Sequence, residues 1–315
     1  MAARKKAQSS TSTAANAGSS APAWPSYQGA SQLVGTSPSG RVTVYVDASL
    51  GPRGLKNARD LLNDADRIVA ANDGIFGTTG GPVSVIVFAL GGATDGTGGA
   101  DHMGCDYTNG NAIEVDASFG HSSRVSALFE AELSECSMNG NLCGQSTGEA
   151  LSRWCAAVVS NNALSDFATA PQWAQDGMPD YVNRTDRTDQ SADSTGCGMA
   201  FLSWLMSMGY SLSQIAPRMV ALGDAGTFAQ LYSDLTSDSS ANAWPKFQSA
   251  IQSLPNGLSS DDPFGAFTAA ATPAEIPAQP APVTDMTPLP SLPPKQTARA
   301  GNCPPKSRRL LPPNR

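Results

Sequence analysis

Residues 41–90, RVTVYVDASLGPRGLKNARDLLNDADRIVAANDGIFGTTGGPVSVIVFAL, decide the fold. In Arg41–Asp47 the valines at 42, 44 and 46 alternate with Thr43 and Tyr45, the period-two pattern of a half-buried strand. Past the Gly51-Pro52 break, Leu55, Ala58, Leu61, Leu62, Ala65, Ile68 and Val69 recur at helical spacing. The chain from Gly54 to about Asn72 is therefore expected as an amphipathic helix. Pro82–Leu90 is almost wholly apolar and β-branched, which marks a central strand. Two strands joined by a helix of that length form a β-α-β unit, with parallel strands and a right-handed crossover.

Outward from this unit the chain changes character. A glycine-rich excursion (GGATDGTGGADHMG, 91–104) leads to a short strand, Ala112–Asp116, and from Ser122 nearly every signal is helical. Helices are expected over Ser122–Met138, Gly148–Asn161, Gly198–Ser207, Ser213–Leu222, about Gly226–Leu235 and about Ala243–Leu254, with Pro217 kinking or dividing the fourth. A small sheet followed by helices is an α+β arrangement. It forms one globular domain over 41–257, with an α/β part at 41–120 and a helical lobe at 121–257. Residues 1–40, rich in Ala, Ser, Gly and Thr, and residues 258–315, rich in Pro and Ala, are expected to be disordered arms. They serve as solubilising linkers or as docking peptides, with Leu310 and Leu311 as the anchor of the second.

Charge is unevenly spread. The chain carries a net charge of −7, yet residues 42–257 hold ten basic and 23 acidic side chains, so the body is at −13. An acidic body repels phosphate backbones, which argues against nucleic acid as a partner. No run of about 18 apolar residues offers a membrane span. The basic opening MAARKK has no apolar stretch behind it to act as a signal peptide, so the expected location is cytoplasmic, or exported without a recognisable signal. The glycines at 91–99 are not followed by Lys-Ser or Lys-Thr, and no phosphate-cradling loop results.

The chemistry concentrates in Ser122–Met138. At 100° per residue, Val125, Leu128, Phe129, Leu133 and Cys136 share a face about 140° wide, with Glu132 near its centre and Glu135 at its edge. Glu130 points the opposite way and needs no explanation. A carboxylate within an apolar stripe costs several kcal/mol unless it meets a cation, donors or a proton. Glu132 therefore either pairs internally with an Arg or backbone amides, or serves catalysis or ligation. In the next helix Ser146 and Glu149 fit an S-x-x-E capping box, and Arg153 follows Glu149 at i+4. Glu149 is thus a cap or part of a site facing Glu132.

Of the two histidines, His102 precedes the short strand and His121 the long helix. His102 is expected to be exposed or to cap a loop. Six cysteines without a signal peptide are expected as thiols, Cys136 and Cys155 being small core residues. Cys136–Cys143 is the pairing expected on export. Cys197, at the expected start of an apolar helix, is either packed or a nucleophile served by His102 or His121. The aromatic residues Trp173, Trp204, Trp244, Tyr181 and Phe201 read as core or groove lining. The polar loop Asp180–Asp193 either lies on the surface or shapes a rim over the site.

The order strand, helix, strand, glycine-rich excursion, short strand and helix, leading to a helical lobe, resembles the layout of zincin metallopeptidases. Their active helix carries HExxH, two zinc-binding His one turn apart around a Glu base. Here the corresponding residues are Ala131, Glu132, Leu133, Ser134 and Glu135, which keep the Glu and lose both His. The resemblance implies a hydrolase-like, peptidase-like domain with a degenerate, carboxylate-based site. Glu132 is its general base or ligand, Glu135, Glu149 and Arg153 stand around it, and His102, Glu135 and Glu149 are the donors for a divalent metal. The competing expectation is a non-catalytic acidic module that binds a protein or peptide partner and attaches through its arms.

Overall fold

The computed structural model describes residues 21–108 and 112–267. The expected β-α-β unit is present: β2 (Val42–Asp47), α1 (Gly51–Phe76) and β3 (Val83–Phe88), with β2 and β3 parallel in the register Val42–Val83 to Val46–Val87. Pro52 in the first turn starts α1, and Gly77, at a left-handed φ of 68°, ends it by returning its N–H to Asp73 O. β5 (Ala112–Asp116) runs parallel beside β3.

Two edge strands complete the sheet, β1 (Ser31–Thr36) antiparallel to β2 and β4 (Ala100–His102) antiparallel to β5, in the order β1-β2-β3-β5-β4. β1 corrects the expectation of an arm over 1–40, because its backbone pairs with Thr43–Asp47 of β2, with a register shift between Leu33 and Gly35. Residues 1–20 of that arm and 268–315 of the other lie outside the described residues. The chain also packs beyond 258: Asp261 and Ala266 are buried, and the Phe267 ring stacks on Trp154 at 4.9 Å.

The strands are apolar on both faces. Val44, Val85, Ile113 and Val115 face α1 and α2 (Ser122–Ser137), while Tyr45, Ile86 and Phe88 meet Trp24 and Tyr27 of the N-terminal segment. That segment is pinned by Glu114, which is fully buried and accepts bonds from Ser26 N (2.9 Å), Ser26 Oγ (2.6 Å) and Tyr27 N (2.6 Å).

The helical lobe comprises α3 (Ser146–Val159), α4 (Ala170–Gln175), α5 (Ala192–Ser207), α6 (Leu212–Leu222), α7 (Phe228–Thr236) and α8 (Ala243–Gln252). Its core holds Trp154, Trp173, Phe201, Phe228 and Phe247, each worth on the order of 2–3 kcal/mol of burial. α6 runs through Pro217 as one helix, so the chain is not divided there.

α2 and α3 are buried all round. α2 packs against the sheet strands β4 and β5, against α1 and against α3, and α3 packs in turn on α5. Every residue from Val125 to Cys136 and from Ser146 to Ala157 is buried. Gly198 permits the α3–α5 approach, since a Cβ there would collide with Ala150 Cβ and the Phe228 ring.

A disulfide joins Cys105, after β4, to Cys143, in the α2–α3 connection, with Cα atoms 5.9 Å apart. This replaces the expected thiols at those two positions and the alternative pair Cys136–Cys143. Cys136 is a buried thiol within α2, outside that disulfide.

Candidate functional site

Glu132 and Glu135 leave α2 toward β4. His102, the last residue of β4, places Nε2 2.9 Å from Glu135 Oε2 and 3.7 Å from Glu132 Oε2. Glu135 Oε1 accepts a bond from Ser152 Oγ of α3 at 3.0 Å. A strand and two helices thus meet in a buried imidazole–carboxylate cluster, with His102, Glu132 and Glu135 only 8%, 1% and 4% exposed. His102 is neither exposed nor a loop cap, because β4 carries it to the edge of the sheet directly over α2. Burial first, then the charges of Glu132 and Glu135, push the Cys136 thiol well above its ordinary value, keeping it a neutral core group.

The cluster adjoins a small cleft of about 40 Å³. Glu132, Glu149, Arg153, Thr169, Asp189 and Thr195 line it, with Ala131, Leu128 and Leu164 as apolar wall. The Asp180–Asp193 stretch does shape the rim, supplying Asp189 and the Gln190–Ser191 entry to α5. The expected capping box is absent. α3 begins at Ser146 with Gln145 as its N-cap, and Ser146 Oγ instead accepts the N–H of Asp186 at 3.0 Å. Glu149 lines the cleft one turn before Arg153.

Three donor groups, His102, Glu132 and Glu135, bring one ligand atom each within 4.8 Å of one another, and among the described residues this is the group spaced to hold a metal ion. The expected set had Glu149 in place of Glu132. Glu149 lies on the cleft wall, outside that trio. One imidazole with two carboxylates suits Mn²⁺ or Zn²⁺.

Glu130 is the residue that helical projection misjudged. It is fully buried toward α1, where Ser134 Oγ donates to its Oε1 at 3.2 Å and also to Asn72 Oδ1 at 3.1 Å. Burial raises its carboxyl well above the ordinary range, while the Ser134 bond and Arg67 pull the other way. Cys197 is not a nucleophile at a helix start: α5 begins at Ala192, so Cys197 is its sixth residue, and burial raises the thiol strongly. His121 is exposed at the N-cap of α2.

The fold and cleft define an α+β chain with a five-stranded mixed sheet, eight helices among the described residues, and a buried carboxylate-rich site. No protein-family model matches it and no curated protein does. Among solved structures it is similar to yeast LTA4 hydrolase in complex with bestatin, at 15% identity and a TM-score of 0.40 over 72% of this chain and 38% of that one. The chain thus spans under two fifths of the length of the structure it matches.

Proposed function

We propose that the chain is a hydrolase-like domain of zincin descent with a degenerate, carboxylate-based site centred on Glu132. The observation that carries this reading is convergence on Glu132: it lines one cleft with Glu149 and Arg153 from α3, and it is grouped with Glu135 from α2 and His102 from β4. The Glu that the zincin resemblance designates as base, Glu132, is the one of the two α2 carboxylates near His102 that also lines the cleft. Ala131, where the first zinc-binding His would stand, adds only a methyl to that wall, so a zinc site of the usual composition is not assembled.

In this reading Glu132 accepts a proton from a water held in the cleft and returns that proton to the leaving group, with Glu149 as a second carboxylate on the cleft wall. His102 holds Glu135 and limits the approach of Glu132. Alternatively, with a divalent ion present, His102, Glu132 and Glu135 would hold it, Glu132 serving as ligand instead of base, and the ion would polarise a carbonyl or bound water. The disulfide favours an oxidising compartment, the exported alternative of the two locations. Among the described residues no helix is long and apolar enough to cross a membrane.

The second reading, a non-catalytic module for a protein or peptide partner, is favoured by Ala131, which removes a ligand and adds no chemistry. Elemental analysis of protein purified without chelator, followed by a peptide-library hydrolysis assay with Mn²⁺ or Zn²⁺ supplied, separates the two. Turnover lost in Glu132→Gln supports the hydrolase. A metal-free protein with no turnover under any supply supports the module.

A further inference from the structure

Cys105 and Cys143 are both half-buried, so the disulfide joining them is within reach of a dithiol in solution. It ties together two segments that each hold up one side of the His102 cluster. Cys105 lies three residues beyond His102, the end of β4, and β4 is an edge strand of only three residues paired to β5. Cys143 lies three residues before α3, which supplies Ser152 to Glu135 and both Glu149 and Arg153 to the cleft. The non-covalent ties of the first segment include Cys105 O, which accepts from Gly140 N at 2.7 Å, and the Tyr107 hydroxyl, 2.8 Å from Ser137 Oγ.

The α2–α3 connection that the disulfide pins is also strained. Asn139, Gly140, Leu142 and Gly144 all have φ between 55° and 84°. Glycine adopts that region freely, but a leucine Cβ meets the following carbonyl there. Leu142 is nonetheless held at φ 57°, its side chain buried and its N–H donated to Asp224 Oδ1 at 2.7 Å. A residue keeps such a conformation only where its surroundings over-determine it, and such residues collect in switching segments. The neighbouring Cys143 is the covalent part of that determination. Breaking the S–S bond leaves a strained connection on one side and a three-residue edge strand on the other.

We infer that Cys105–Cys143 is a redox latch on the His102 cluster. Closed, it holds His102 against Glu135; opened by a dithiol, it lets β4 and the α2–α3 connection part. One thiolate of the dithiol attacks a sulfur of the bond and forms a mixed disulfide, and its second thiol then displaces the cysteine. Two electrons and two protons pass to Cys105 and Cys143, leaving two thiols and the reductant as its own disulfide. Exchange with oxidised glutathione runs the reaction back. The latch regulates the site described under the proposed function, but its readout does not depend on turnover.

The chain's two histidines provide the test, since His121 is exposed and His102 buried. Acylation by diethyl pyrocarbonate after removal of the reductant, mapped by mass spectrometry on the full chain, should modify His121 equally in oxidised and reduced protein. His102 should be protected in the oxidised chain and react at least about tenfold faster in the reduced one, as a locally opened segment does. Oxidised glutathione should restore the protection, and the double variant Cys105→Ser, Cys143→Ser should react at the reduced rate under either condition. Should that variant not fold, reduction and reoxidation of the unaltered chain still decide. Continued protection of His102 once both thiols are free, a disulfide that about 10 mM dithiothreitol leaves intact in the folded chain, or reduction that unfolds the whole chain overturns the inference. A working latch with no hydrolysis by the oxidised chain overturns the hydrolase reading alone.

Discussion

Glu130 and Glu132 sit two residues apart on α2, both fully or almost fully buried, yet they occupy opposite environments. Glu130 faces α1 and is sealed there with Ser134, Asn72 and the distant charge of Arg67. Glu132 faces β4 and α3, lies 3.7 Å from His102 and lines a cleft. One side of the helix neutralises its carboxyl by burial. The other places two carboxylates beside an imidazole, and one of them, Glu132, lines the cleft. Burial alone therefore does not set one acid apart from the other; what distinguishes Glu132 is an imidazole 3.7 Å away and a cleft beside it.

The largest way to break that contrast is the disulfide. It fixes the chain three residues beyond His102 to the turn between α2 and α3, and closing a loop of 38 residues is worth about 4 kcal/mol in the chain-entropy picture. The double variant Cys105→Ser, Cys143→Ser should lose about that much in denaturant melts. Hydrogen exchange should rise over residues 100–108 and 139–146, while the Glu130 side of α2 stays protected.

Next in size, His102→Leu removes the ring partner of Glu135 and should cost about 1–3 kcal/mol, the penalty for leaving a buried polar group without its hydrogen bond. A cost below about 1 kcal/mol would show that Ser152 alone satisfies Glu135.

The Glu130 side sharpens the comparison through pH. Its folded-state pKa is raised above the ordinary 4.5, so above that pH the native state holds a proton the unfolded chain has lost. Stability contributed by this group is complete below about pH 4.5 and falls as pH rises toward the folded-state pKa, by about 1.4 kcal/mol per pH unit across the window. Glu130→Gln should flatten that part of the curve of melting temperature against pH. At low pH it should change stability by less than about 1 kcal/mol, since the amide resembles the protonated acid.

These differences also mark what the sequence could reveal. β2, α1, β3 and β5 were legible because Val alternation and helical spacing persist over whole elements. β1 was not, since SQLVGT is a half-exposed edge strand with two large apolar residues in a Ser- and Gly-rich context. β4 is three residues long and carries no period, and with it went the placement of His102. Glu132 was legible from its position in an apolar stripe. Glu130 was not, because projecting onto one apolar face assumes the opposite face is wet, and α2 has neighbours on both. The signal for that was available in Ser126, Ala127, Ala131 and Ser134, small residues that let neighbouring elements approach α2 closely.

The central claim is that the two carboxylates differ in kind, and paired thermal melts and binding assays of Glu132→Gln and Glu130→Gln at neutral pH test it most directly. Glu130→Gln is expected to keep ligand binding and any turnover, with a melting temperature equal to or above that of the unaltered chain. Glu132→Gln is expected to stay folded and lose turnover, because the isostere keeps its volume and removes its charge. Equal, negligible shifts in both variants with every assayable function intact would contradict a site centred on Glu132.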